Sequence, residues 1–282
     1  MNNKKLLSEK KKFISQLLSR YSFWCQPTQY QTQKWTEGGV VSTHAICIGG
    51  GFKPIGLSSY EHLTIMPLVF DYFDVTVALK YGLRDQPFGD KSRKLAQSLD
   101  KSFISQLTLV LYENMYKVRN KLLHHKGGLS DCGQNIVVIK DQFQIPLDNL
   151  HYINILVPFL SKHIDDSSEF NLYEKSLIWS YFNKSGLIDT NNQVLLDAVQ
   201  EEEIIELCPT FRYHIDMLSR EYMTFEELRH DLGCRFLNEH GDLIGNTLFS
   251  FNFHGEGYDV PAEYLCNNVT FNLDDLQKWR HN

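Results

Sequence analysis

Apolar positions set the first elements. Leu6, Leu7, Phe13, Ile14, Leu17 and Leu18 recur at helical spacing with lysines between them, which predicts an amphipathic helix over Lys4 to Tyr21. From Gln26 to Tyr60 the pattern breaks at Gly38-Gly39 and Gly49-Gly50-Gly51, with Val40-Val41 and Ala45 to Ile48 between, the mark of short strands and loops. The triple glycine lacks a following Gly-Lys-Ser/Thr and reads as a turn. Pro67 fits a first helical turn that Leu68, Val69, Tyr72, Phe73, Val75 and Leu79 continue to Gly82. Gly82 to Ser98 is polar and basic and reads as an exposed connection. Asp100 then fits an N-cap, and Ile104, Leu107, Leu111, Met115, Val118 and Leu122 form one apolar stripe closed by Gly127-Gly128.

Beyond it, Asn135 to Pro146 predicts a hairpin turning at Lys140-Asp141, and Leu147 to His163 is again helical. Asp165-Asp166-Ser167-Ser168 marks a boundary. Helical patterns follow at Asn171 to Phe182, Asn192 to Leu207 and Tyr213 to Glu221, and a capping box at Thr224 to Glu227 starts another that stops at Gly241. Thr247 to Asn282 is aromatic-rich and mixes a strand with a short helix over Leu273 to Arg280. These patterns predict a mainly α protein with minor β in three parts: an N-terminal helix and short-strand region (1–62), a helical bundle (63–165) and an acidic, mainly helical C-terminal domain (166–282).

Composition narrows the function. The 282 residues are 43% hydrophobic and 22% charged, an ordinary globular mixture that excludes disordered and fibrous classes. Ser8-Glu9 and Lys10-Lys11-Lys12 interrupt any signal-peptide core, and no run of about 18 apolar residues suits a membrane. The six cysteines are scattered without metal-ligand spacing, so reduced thiols in a cytoplasm, with neither metal nor cofactor, are expected. The net charge of -6 hides a split: +9 over residues 1–140 against -15 over residues 141–282. Such polarity points to a polyanion for the basic half, and it suggests that the acidic half shields it.

The chemistry concentrates in Leu111 to Gly128, LYENMYKVRNKLLHHKGG, where Arg119-Asn120 is followed four residues later by His124 at the end of the long apolar stripe. An Arg and a His with four residues between recur by chance in about one such chain in three, so the spacing alone is weak. Arg235 and His240 repeat it without the Asn, and with Glu239 beside the His. Arg119, Asn120, His124 and the following glycines, however, resemble the signature of the HEPN superfamily: Arg, often Asn, then His at a short spacing near a helix end. The resemblance covers about Pro67 to His163. It implies a four-helix bundle, a homodimer with a composite site, and metal-independent RNA cleavage of the bacterial defence or toxin type, leaving 2',3'-cyclic phosphate and 5'-hydroxyl ends.

Residue chemistry agrees with that implication. Histidine transfers protons near neutrality, and arginine offers a permanently charged planar fork to a phosphate. His124 is thus assigned to proton transfer, Arg119 to the phosphate, and Asn120, which shares a helix face with His124, to orientation. His125 is an alternative histidine. Lys121 and Lys126 add to a segment, Lys80 to Lys126, that carries +6, while Tyr112 and Tyr116 present rings for base stacking or for a core. Lys126 stands where HEPN toxins paired with nucleotidyltransferase antitoxins carry a Tyr, which argues against that antitoxin while leaving open another antitoxin or defence-system partner. The rival readings are a non-catalytic HEPN module that binds RNA or nucleotide, and a purely structural interaction protein.

Overall fold

The computed structural model describes residues 3–20, 29–36, 39–46, 58–83, 86–124, 135–138, 143–166, 169–187, 192–208, 211–235, 246–267 and 272–281. Helix predominates among them, joined by a five-stranded mixed sheet and a two-stranded hairpin. The three consecutive parts expected from the sequence give way to two compact units built from separated segments. Met1–Pro27, Gly49–Ser168 and Ile178–Ile204 make the first; Thr28–Ile48, Glu169–Leu177 and Ile205–Asn282 make the second.

The first unit is helical. Helix α1 (Asn3–Leu18) buries Ile14 and Leu18 and pairs Lys11 with Asp165. Helix α2 (Ser59–Tyr81) begins earlier than Pro67 suggested, at a capping box in which Ser58 accepts from the Glu61 N–H and Glu61 accepts from the Ser58 N–H. Pro67 lies inside it, where its ring removes the donor that would have met the carbonyl of Leu63. Gly82, at φ 68°, ends the helix in the left-handed conformation that glycine adopts without strain. The stretch Tyr60–Tyr81 is the one candidate, among the described residues, long and apolar enough to cross a membrane, with a mean hydropathy of 1.3. Its apolarity serves packing: Ile65, Met66, Val69, Phe70, Phe73, Val75 and Val77 are buried, and α2 packs on α1 and on α4 and α5, defined next.

Gly82 to Ser98 is not a bare connection, since Phe88–Ser98 is helix α3. It shows no stripe because Leu95 is its one buried residue; Lys91 to Asp74 and Ser92 to Glu113 hold it instead. Helix α4 (Phe103–His124) follows the expected apolar stripe, with Leu107, Leu111, Met115 and Val118 fully buried. Each such burial contributes roughly 1.5–3 kcal/mol. Its cap differs from expectation. Asp100 accepts from the Ser102 N–H, while the Glu202 carboxylate accepts from the first helical N–H, Phe103, at 2.7 Å. The expected closure at Gly127-Gly128 lies outside the described residues, as do the triple glycine, the hairpin turn at Lys140-Asp141 and the segment from Phe236 to Gly241. The hairpin is formed by antiparallel β3 (Asn135–Val138) and β4 (Phe143–Pro146). A 3-10 turn at Leu147–Asn149 leads into α5 (Leu150–Asp166), and α7 (Gln193–Glu201) packs against α4.

The second unit carries a sheet where the sequence suggested one strand among C-terminal helices. Its sheet runs β2 (Gly39–Ile46), β1 (Gln29–Thr36), β5 (Phe211–Tyr222), β6 (Thr247–Phe253), β7 (Glu256–Pro261), with β5 parallel to both neighbours and the outer pairs antiparallel. Tyr213 to Glu221, read as a helix from the sequence, is the central strand. Ile215 and Met217 point to the buried face with Phe249, Phe251 and Val260. Helix α8 (Phe225–Arg235) starts at the predicted Thr224 box; α9 (Ala262–Asn267) and α10 (Leu273–Gln277) close the chain. Helix α6 (Leu172–Ser185) gives its first residues to this unit and the rest to the first.

Candidate active site

The candidate residues lie along the last half of α4, and the helix turns them in different directions. Tyr112 is fully buried; its hydroxyl donates to Asp74 Oδ1 at 2.5 Å, and burial together with that carboxylate pushes the phenol far above its ordinary pKa. Tyr112 is a core residue and offers no platform to a base. Tyr116, one turn on, is half-buried and stacks on Phe88 at 3.3 Å between centroids and 3° between planes.

Arg119 follows on the same side. Its guanidinium lies 5.6 Å from the centre of the Phe70 ring, and its Nε is 3.6 Å from Asp71 Oδ1. That is too long for a hydrogen bond. The Nε atom is buried and has no hydrogen-bond partner among the described residues. Asn120 and Lys121 are half-buried on neighbouring faces and are not part of the pocket lining. His124 is the last residue of α4. Its ring, like His125 and Lys126, lies outside what the structure describes, so Arg119 is brought together with α2 and not yet with a histidine.

Arg119 and Tyr116 border an open pocket of about 230 Å³, completed by Lys10 of α1, Phe70, Asp71 and Asp74 of α2, and Phe88 and Lys91 of α3. Lys91 reaches both oxygens of Asp74 at 2.9 Å, and Lys10 lies 3.5 Å from Asp71. The pocket thus combines three cations, two carboxylates and an aromatic wall. Sequence reasoning passed over Asp71 and Asp74, although two acids three apart within the apolar middle of α2 were a visible signal. It passed over Phe88 and Lys91 because their segment read as a connection.

No protein-family model, no curated protein and no solved structure matches the chain. The HEPN resemblance therefore rests on the α4 residues alone.

Proposed function

We propose that the chain is a metal-independent endoribonuclease of HEPN type, acting on RNA in the cytoplasm as a homodimer in a bacterial defence or toxin setting. The observation that carries this reading is Arg119 in the last two turns of α4, Asn120 beside it and His124 at the helix end, with a buried Arg119 Nε that has no acceptor among the described residues. An RNA phosphate supplies such an acceptor. In the reaction the 2'-oxygen attacks phosphorus, its proton leaves to a base, and the 5'-oxygen departs carrying a proton from an acid. His124 performs proton transfer, Arg119 stabilises the charge gathering on the phosphoryl oxygens, and Asn120 orients one of them. A two-fold dimer through the end of α4 brings a second copy of each group to the same cleft.

One observation favours a second reading. Asp71 and Phe70 of the same chain already engage Arg119, as suits a module that binds RNA without cutting it. Product ends separate the two. Incubation of RNA with the protein in EDTA should yield 2',3'-cyclic phosphate and 5'-hydroxyl termini; RNA left intact both in EDTA and with added magnesium supports the binding module, and cleavage to 3'-hydroxyl ends only when magnesium is added refutes both.

A further inference from the structure

The pocket beside Arg119 carries a charge that its own side chains leave unbalanced. Lys91 closes on Asp74 through two 2.9 Å bonds and Tyr112 donates to the same carboxylate, so that acid is fully used. Lys10 and Arg119 divide the remaining acid, Asp71, at 3.5 and 3.6 Å. Both distances exceed the roughly 2.7–2.9 Å of a charge-assisted bond. Two loosely held cations thus face one carboxylate, a surplus of one positive charge. The buried Arg119 Nε is a charged donor with no acceptor among the described residues, a costly state inside a protein.

The walls point to what fills it. Phe88 and Tyr116 lie parallel at 3.3 Å, each covering one face of the other, with the Phe70 ring tilted against Tyr116 at 6.1 Å, so aromatic rings border the cations. Unpaired bases pack on aromatic rings, whereas the bases of a duplex are stacked on their own neighbours and offer no face. A monoanion balances the surplus of one, whereas a dianionic terminal or free phosphate overcharges it beside Asp71 and Asp74.

We propose that this pocket binds an internal phosphodiester of single-stranded nucleic acid, held by Lys10 and Arg119, with the adjoining base against the Phe88–Tyr116 wall. The proposal rests on the RNA reading above and names the form of RNA that the site accepts: single-stranded, gripped within the strand and not at a phosphorylated end.

A deoxythymidine tetranucleotide without terminal phosphates tests it, because it has internal diesters but no 2'-hydroxyl and cannot be cleaved by 2'-oxygen attack. Its affinity is measured on the full chain by NMR titration for the wild type, Lys10→Ala and Phe88→Leu. Lys10 is exposed, and leucine keeps apolar bulk at position 88; an unchanged amide spectrum away from the pocket verifies the fold. The expected result is binding about tenfold weaker in Phe88→Leu. In Lys10→Ala it should be about threefold weaker, with the salt slope reduced by about one. Inorganic phosphate at equal concentration should not compete. Absence of binding, equal affinity in all three proteins, or competition by inorganic phosphate overturns the pocket. Binding as expected without any cleavage of RNA condemns the ribonuclease reading alone.

Discussion

Arg119 shows how a single residue reads differently in sequence and in structure. Its type and its place beside Asn120 were legible, because only arginine supplies a fixed, charged fork for a phosphate. Its partner was not, because the Asp71 contact joins residues 48 positions apart through the packing of α2 on α4. The account predicts that Arg119→Lys, which keeps charge but loses the fork, lowers RNA cleavage at least about tenfold while leaving the thermal midpoint near that of the wild type. Equal rates for Lys and Arg would deny the fork its role. In the second unit, His281 is the informative titratable residue. Its Nε2 lies 2.8 Å from Asp259 Oδ1, and that carboxylate contact outweighs burial and raises its pKa. The ring sits where a Cβ on Gly257 would come within 2.7 Å, so residue 257 has to be glycine for this pairing. A raised folded pKa means the contribution is present in full below the unfolded value near 6.5 and fades as pH rises through the folded value. His281→Gln should therefore lower the melting temperature more at pH 6 than at pH 8.5. His214, whose pKa is depressed mainly by burial and in small part by the His281 charge, acts in the opposite sense, and its coupling to His281 trims the difference without reversing it. A deficit that grows with pH would contradict the pairing.

At the scale of elements, the patterns that bury a continuous stripe were readable and those that depend on distant partners were not. Helices α1, α4, α5 and α6 and the β3–β4 hairpin follow local periodicity. Strand β5 was misread. Buried Arg212, satisfied by Glu263 at 2.7 and 2.9 Å, and exposed Tyr213 and Leu218 blur its alternation. Its strand state comes from β6 and β1, whose paired residues lie 31–34 and 182 positions away in sequence. Helix α3 was missed for want of a stripe, and α2 was started late because Pro67 outweighed the Ser58 to Glu61 box that was equally present in the sequence. That box has a measurable consequence: Ser58→Ala should destabilise the first unit by about 1 kcal/mol, read as a lowered urea midpoint with unchanged slope. A variant indistinguishable from wild type would show that the cap is idle. Glu202 carries a comparable role from a distant site, accepting from the first N–H of α4.

For the whole molecule, the division into interleaved units changes what a truncation means. Cutting after Asp165, the boundary suggested by composition, would remove α7, which packs on α4, and Leu187, whose carbonyl accepts from the buried Asn114 side chain at 2.8 Å. Loss of activity in such a truncation would report a broken first unit and not a lost acidic shield. The proposed composite site would need two copies, so sedimentation should give a mass near twice 32.9 kDa under assay conditions. A monomer that cleaves RNA at full rate would remove the dimer from the account. The central claim stands on α4, and the most direct test is an end-labelled RNA cleavage assay in EDTA with the wild type, Arg119→Ala and His124→Ala, each shown to be folded. The account predicts cleavage by the wild type and loss in both variants; cleavage persisting undiminished in the two variants would place the activity elsewhere and contradict it.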